Sequence, residues 1–285
     1  MTGAQRIWLV VNDASGSNDE KSIATLERSC VGAGLALARI VRFPEQPLPI
    51  AAELDGAGIG LVAVFAGDGT VNALVNGLAG WGGAVLVLPG GTMNLLYHLL
   101  HGEQQAGEVI RLAAAGRATP MRPGVIACRA GTALVDSLAG PGTRWYEVRE
   151  AMREADVLAV AGSAAQALGE TFGTPGIACR APEVGRAEGY PLVMLTPTDE
   201  GIRVCGFGAE TAGEFLEGSW ALLRYRFREG SHDELALVGQ VTLASSANAP
   251  FGILIDGKRA EAPEEEEFWL VPCAVDLLAT RADGR

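Results

Sequence analysis

The sequence predicts an α/β domain built on a parallel sheet, followed by a β-rich, sandwich-like domain. Three observations carry this. Residues 1–118 read as strand then helix four times over, the signature of a parallel sheet covered by helices. Leu61–Phe65 is an unbroken apolar run, the pattern of a strand buried on both faces. After Gly116 the pattern changes to short apolar runs about ten residues apart, broken by Gly or Pro, as in an antiparallel β domain. The expected division is 1–120 for the first domain and 121–285 for the second.

Taken in order, Ile7–Val11 is the first strand and ends in a polar, Gly-containing loop at 12–18. Asp19–Gly34 is helix-like, with Ile23, Leu26, Cys30 and Val31 at helical spacing. Leu35–Phe43 is a second strand. Pro44, Pro47 and Pro49 mark a loop before a short helix reaching Leu54. Leu61–Phe65 runs into Ala66-Gly67-Asp68-Gly69-Thr70, with Thr70 expected to cap a helix near Val71–Leu78. Ala84–Leu88 is the fourth strand and runs into Pro89-Gly90-Gly91-Thr92-Met93-Asn94, before helical stretches at Leu95–Leu100 and Glu103–Ala115. In the second domain, strands are expected at Gly124–Arg129, Ala133–Leu138, Asp156–Ala161, Gly176–Arg180, Pro191–Thr196, Ile202–Phe207, Glu234–Ser245, Phe251–Ile255 and Phe268–Val271. One helix, Arg144–Ala155, interrupts them, with Trp145, Val148 and Met152 on one face. Glu264–Glu267 reads as a solvated acidic turn.

Composition narrows the function classes. A net charge of −12 argues against nucleic acid and against broad electrostatic adhesion to anionic membrane. No apolar run of about 18 residues is present, so no transmembrane helix is expected. The start lacks the features of a signal peptide, which points to the cytoplasm. The five cysteines are scattered without a CxxC pair and read as buried thiols.

The loop after Phe65 is the chemical centre. Its glycines allow a sharp turn, and a helix N-terminus there offers bare amide N–H groups at a strand's C-terminal edge. Such edges bind phosphates in open α/β sheets. A carboxylate, Asp68, among phosphate-binding amides calls for a cation or a reacting hydroxyl. Parallel strands place the loops after strands one, three and four on one edge.

Together, Asn12 with Ser15-Gly16, the Ala66–Thr70 loop and the Pro89–Asn94 loop resemble the diacylglycerol kinase catalytic-domain family. That family includes sphingosine and ceramide kinases and soluble bacterial lipid kinases. Its N-P-x-S-G, G-G-D-G-T and P-x-G-T-x-N loops occur in this order, and an Asp-Gly-Glu falls near the place of Asp256-Gly257-Lys258. The resemblance implies ATP- and Mg²⁺-dependent phosphorylation of a lipid hydroxyl, in a cleft between a nucleotide-binding domain and a β-sandwich. Gly67, Gly69, Gly90 and Gly91 would let backbone approach phosphates, and Thr70 and Thr92 would donate hydroxyls. Asn12, Ser15, Gly16 and Asn94 would bind nucleotide or brace the loops. Asp68 would accept the lipid proton, hold Mg²⁺ through water, or both, and Asp256 would complete the metal or base arrangement. A lipid substrate leaves transient membrane contact open, as is a homodimer.

Four positions depart from the family pattern. Asp13 stands for Pro and Ala66 for Gly, both mild changes. Lys258 stands for Glu and removes a carboxylate. Leu95-Leu96-Tyr97-His98 lacks the family's Arg. Low turnover is one implication. A nucleotide- or lipid-binding protein without catalysis, and a kinase of a soluble substrate related to NAD kinase, stay as alternatives. Gly252–Arg259 mimics a P-loop but lacks its final Ser or Thr. His98 and His101 lack a third ligand nearby and read as a helix-surface or cleft-edge pair. The Arg224, Arg226, Arg228 cluster reads as an exposed face.

Overall fold

A computed structural model of the chain describes residues 5–12, 19–144, 176–208 and 232–281. Most of the expected helix at 144–155, the strand at 156–161, the loop residues Ser15 and Gly16 and the arginines at 224–228 lie outside the described residues.

The chain forms two units. In the first, β1 (Gln5–Asn12), β2 (Leu35–Phe43), β3 (Leu61–Ala66) and β4 (Ala84–Pro89) pair in parallel in the order β2-β1-β3-β4. Every residue of β3 is buried, as an unbroken apolar run requires of a central strand. Helix α1 (Glu20–Gly32) is capped by Asp19, whose carboxylate accepts the Ser22 amide at 2.8 Å. It buries Ile23, Leu26 and Cys30, while Val31 is exposed. Helix α2 (Ala51–Gly56) buries Leu54. Helix α3 spans Asp68–Gly77 and its cap is Gly67, so it starts three residues before the Val71 start expected from a Thr70 cap and nearer the strand. The chain leaves β3 so abruptly that Asp68 is already in the first helical turn. Helices α4 (Leu95–His101) and α5 (Ala106–Ala114) complete the unit.

The expected break at residue 120 is corrected by the topology. The first unit comprises Met1–Pro123 and Pro272–Arg285, and the second Gly124–Val271. Strand β5 (Thr119–Met121) stays in the first sheet, and the last strand, β18 (Asp276–Ala279), returns to lie between β4 and β5. It pairs in parallel with β4 and antiparallel with β5. A four-residue DLLA run has too few positions to show a period, so its return was not readable from the sequence.

The second unit has two six-stranded sheets whose individually defined pairs are antiparallel. One core cluster takes Ile126, Cys179, Val241, Leu243 and Phe268 from one sheet and Val193, Leu195, Val204, Ile253 and Ile255 from the other, as a sandwich interior does. Along β11 (Leu192–Thr198) Val193 and Leu195 enter this core, whereas Leu192 and Met194 join a separate cluster with Cys205 and Phe207. The expected single strand at Glu234–Ser245 is two, β13 (Asp233–Val238) and β14 (Gln240–Ser245), broken at Gly239. The run at Ala133–Leu138 also divides, into β7 (Gly131–Ala133) and β8 (Ser137–Ala139). The acidic run is not a solvated turn. Strand β17 (Glu265–Pro272) begins inside it, and alternation carries Glu266 inward, 1% exposed. Its carboxylate accepts the Arg129 amide at 3.0 Å and pairs with the Arg129 guanidinium at 3.4 Å. All five cysteines are buried and free. Among the described residues no helix is long and apolar enough to cross a membrane.

Candidate active site

Because β1, β3 and β4 are parallel, their carboxyl ends share one margin of the first sheet. Asn12 ends β1, and its side chain donates to the Thr70 hydroxyl at 2.8 Å, tying the end of that strand to the first turn of α3. The loop after β4 lies directly on the loop after β3. A β-carbon on Gly90 would come within 2.5 Å of the Ala66 nitrogen, and one on Gly91 within 2.5 Å of the Gly67 Cα. These two glycines are therefore required by backbone-on-backbone contact, whatever else approaches the loop. Asn94 adopts left-handed backbone, with φ 50°, at the start of α4. Its side chain accepts from the Gly91 amide at 2.7 Å and donates to the Gly91 carbonyl at 2.9 Å, closing the loop on itself. Thr92 and Gly69 are exposed, while Gly67 and Thr70 are half-buried.

Asp68 joins the two loops. One carboxylate oxygen accepts the Leu95 amide and the other the Leu96 amide, both at 3.2 Å. The side chain thus occupies the positive end of α4 while its backbone opens α3. Burial pushes its pKa above the usual carboxylate range. The Leu96, Leu95 and Asp68 amides and the nearby His98 pull the other way without overcoming it. A half-buried carboxylate with raised proton affinity is suited to general-base work.

Asp256 belongs to the second unit, in the two-residue turn between β15 (Phe251–Ile255) and β16 (Lys258–Ala262). Asp256 and Gly257 have φ of 47° and 80°, as an Asp-Gly hairpin turn requires. Its carboxylate accepts the amides of Leu134 at 2.7 Å, Val135 at 2.9 Å and Asp136 at 3.1 Å. Its own amide donates to the Asp136 carbonyl at 3.1 Å. This is why the apolar run at 133–138 divides: three successive amides turn toward one carboxylate. Lys258 is exposed beside it. The P-loop lookalike is the strand β15 and its hairpin turn.

His98 is half-exposed, 3.3 Å from Glu103, but His101 is not at the surface. It is 1% exposed, with Nδ1 2.9 Å from the Thr280 hydroxyl of the returning C-terminal segment, and burial lowers its pKa to about 4. Among the described residues no three His, Cys, Asp or Glu side chains gather as metal ligands. Magnesium does not need such a cage. It takes one or two carboxylates, keeps waters and binds substrate phosphates, a mode that Asp68 fits. The residues the sequence did not offer are Leu95 and Leu96, which act through backbone amides and so leave no side-chain signal.

Fold and site together define a glycine-loop α/β domain with an antiparallel β domain inserted before its last strand. Residues 6–126 match the family model described as the diacylglycerol kinase catalytic domain, the family that the three loops resemble. Among solved structures the chain is similar to a diacylglycerol kinase from Bacillus anthracis str. Sterne, with a TM-score of 0.62 at 16% identity over 98% of each chain. A second structure from that organism, provisionally assigned to the same class, gives 0.61 at 16%, again over 98% of each chain. At this identity the likeness establishes the fold. No curated protein matches the chain.

Proposed function

We propose that the protein is an ATP-dependent lipid kinase, transferring the γ-phosphate to a hydroxyl of a diacylglycerol- or sphingoid-type lipid. One observation carries the reading: Asp68, with raised proton affinity, stands where two glycine loops touch at the carboxyl edge of a parallel sheet. The ATP phosphates would lie along the amides of the first turn of α3 and the Gly90–Asn94 loop, near Asn12, Thr70 and Thr92. The Asp68 carboxylate takes the proton of the lipid hydroxyl as the new oxygen–phosphorus bond forms. The bond from the γ-phosphorus to the β,γ-bridging oxygen breaks, ADP leaves, and Asp68 returns its proton to solvent. The phosphates and Asp68, directly or through water, would hold Mg²⁺, which would supply charge neutralisation. The loops position the reactants and need do little else.

For Asp256 the three amides it accepts favour a brace over a metal ligand or base. A specific observation also supports a second reading, a nucleotide binder without turnover: both Asp68 oxygens already accept amides, so the side chain has a capping task of its own. Incubation with γ-labelled ATP and a panel of lipids, with soluble alcohols alongside, separates the two. Labelled lipid is expected from the wild type and not from Asp68→Ala. ATP binding with no labelled product from either protein would overturn the kinase reading.

A further inference from the structure

Beyond the glycine loops, the first unit contains a polar cavity of about 460 Å³, lined by Gln104, Glu108, Arg117, Thr119, Thr280 and Arg281 together with Leu112 and Ala279. It sits where β5 and β18 meet the chain following α4. Thr119 pairs with Ala279 across the two strands, and the Thr280 and Arg281 amides both reach the Leu100 carbonyl near the end of α4, at 3.1 and 3.2 Å. Since β18 runs parallel to β4, this end of β18 faces the same margin as the glycine loops, displaced along the sheet.

We infer that this cavity binds a small phosphate monoester, at a site separate from the nucleotide loops. The cations are the first argument. Arg117 and Arg281 both line the cavity, and among the described residues neither guanidinium has a carboxylate partner. The chain has 34 acidic residues against 22 lysines and arginines, so two uncommitted arginines in one cavity need an account. The one acid in the wall, Glu108, is paired with Arg111. The second argument is the fixed polar wall. Thr280 is held by His101 at 2.9 Å and donates to the Gln104 side chain at 3.1 Å, while the Gln104 side-chain amide reaches the Thr280 carbonyl at 3.4 Å. Tyr97 in turn donates to the Gln104 carbonyl. The Arg281 stem packs beside Gly102, 3.7 Å from the position a β-carbon there would take. Two forked guanidinium groups, with the Thr119 hydroxyl and the second hydrogen of the Gln104 amide in the same wall, match the three terminal oxygens and double charge of a phosphate monoester better than a carboxylate.

The test titrates wild-type protein and the Arg117→Gln/Arg281→Gln variant by calorimetry with glycerol phosphate and inorganic phosphate. A parallel arm measures co-sedimentation with phosphatidylcholine vesicles with and without phosphatidic acid. Thermal melting checks the fold, and ATP titration checks the glycine loops. The expected result is saturable binding to the wild type that weakens about a hundredfold in the double variant, with ATP affinity unchanged. Loss confined to the soluble esters identifies a metabolite as the source, and loss confined to phosphatidic acid vesicles identifies a lipid headgroup. Binding that survives in the double variant, or no binding in either arm, would overturn the assignment. The readout is binding, so it stands whether or not the chain transfers phosphate.

Discussion

Replacing Asp68 by Asn separates the chemistry of the carboxylate from its structural task. Asn keeps one oxygen to accept either the Leu95 or the Leu96 amide, but turns an N–H group toward the other. One bond to a charged acceptor is lost, worth about 1.5–3 kcal/mol. Against that, the burial cost that raises the Asp68 pKa disappears with the charge. The two terms oppose, so net stability should change by about 1 kcal/mol, a melting shift of no more than about 4 °C. Turnover should fall by about 10²–10⁴, the usual contribution of a positioned proton acceptor, or about 3–5 kcal/mol of barrier. The assay is transfer of labelled phosphate under saturating ATP, with melting followed on the same samples. The pH profile adds a sign. Asp68 must be ionised to act, and burial raises its pKa, so the acid limb of kcat/KM should lie above the ordinary aspartate range and vanish in the variant. A loss of less than about tenfold with an unchanged acid limb would show that the carboxylate only caps α4.

Three further outcomes follow from the same geometry. Gly90→Ala puts a β-carbon 2.5 Å from the Ala66 nitrogen, and should cost about 1–3 kcal/mol in melting experiments and weaken ATP binding, because the two loops must part. Asp256→Ala strands the Leu134, Val135 and Asp136 amides and should cost at least about 3 kcal/mol, whereas Asp256→Asn, which tolerates the left-handed turn, should retain most stability and turnover; a stable Asn variant without turnover would instead restore a catalytic role. His101 is buried with its pKa lowered from an ordinary 6.5 to about 4, so its stabilisation is complete above pH 6.5 and is lost as the pH falls toward 4, amounting to about 3 kcal/mol; denaturant melts across that range should show a slope that His101→Gln flattens.

The parts of the fold written in runs of apolar residues were legible, and the parts written in single contacts were not. The four parallel strands and the helices between them follow from unbroken or helically spaced apolar residues, and the observed ends differ by a few residues. Strand β18 escaped because four residues cannot display a period. The Thr70 cap was misplaced because Gly67, with no side chain to signal a cap, starts the helix three residues before the Thr70-based expectation. Glu266 was hidden by its neighbours: in a run of four glutamates only the register of β17 says which one points inward. At the site, the residue types were legible and their partners were not. Gly90 and Gly91 suggested backbone close to phosphate, while the structure shows backbone close to backbone first.

The two aspartates show why residue type and sequence context are weak guides to chemistry by themselves. Both precede glycine, both accept backbone amides and both were candidates for base and metal ligand. Asp256 is committed: three amides between 2.7 and 3.1 Å occupy most of the lone-pair positions of a carboxylate on a residue that is 9% exposed, in a turn whose left-handed backbone suits Asp or Asn. Asp68 is less so. It accepts two long bonds at 3.2 Å, remains half-exposed, and its burial outweighs what those amides return. A carboxylate has about four lone-pair positions, so two weak amide bonds leave room for a proton or a hydrated cation. The imbalance between burial and hydrogen bonding therefore favours Asp68 over Asp256 as the reacting group, although the sequence presents both as the same Asp-Gly pair.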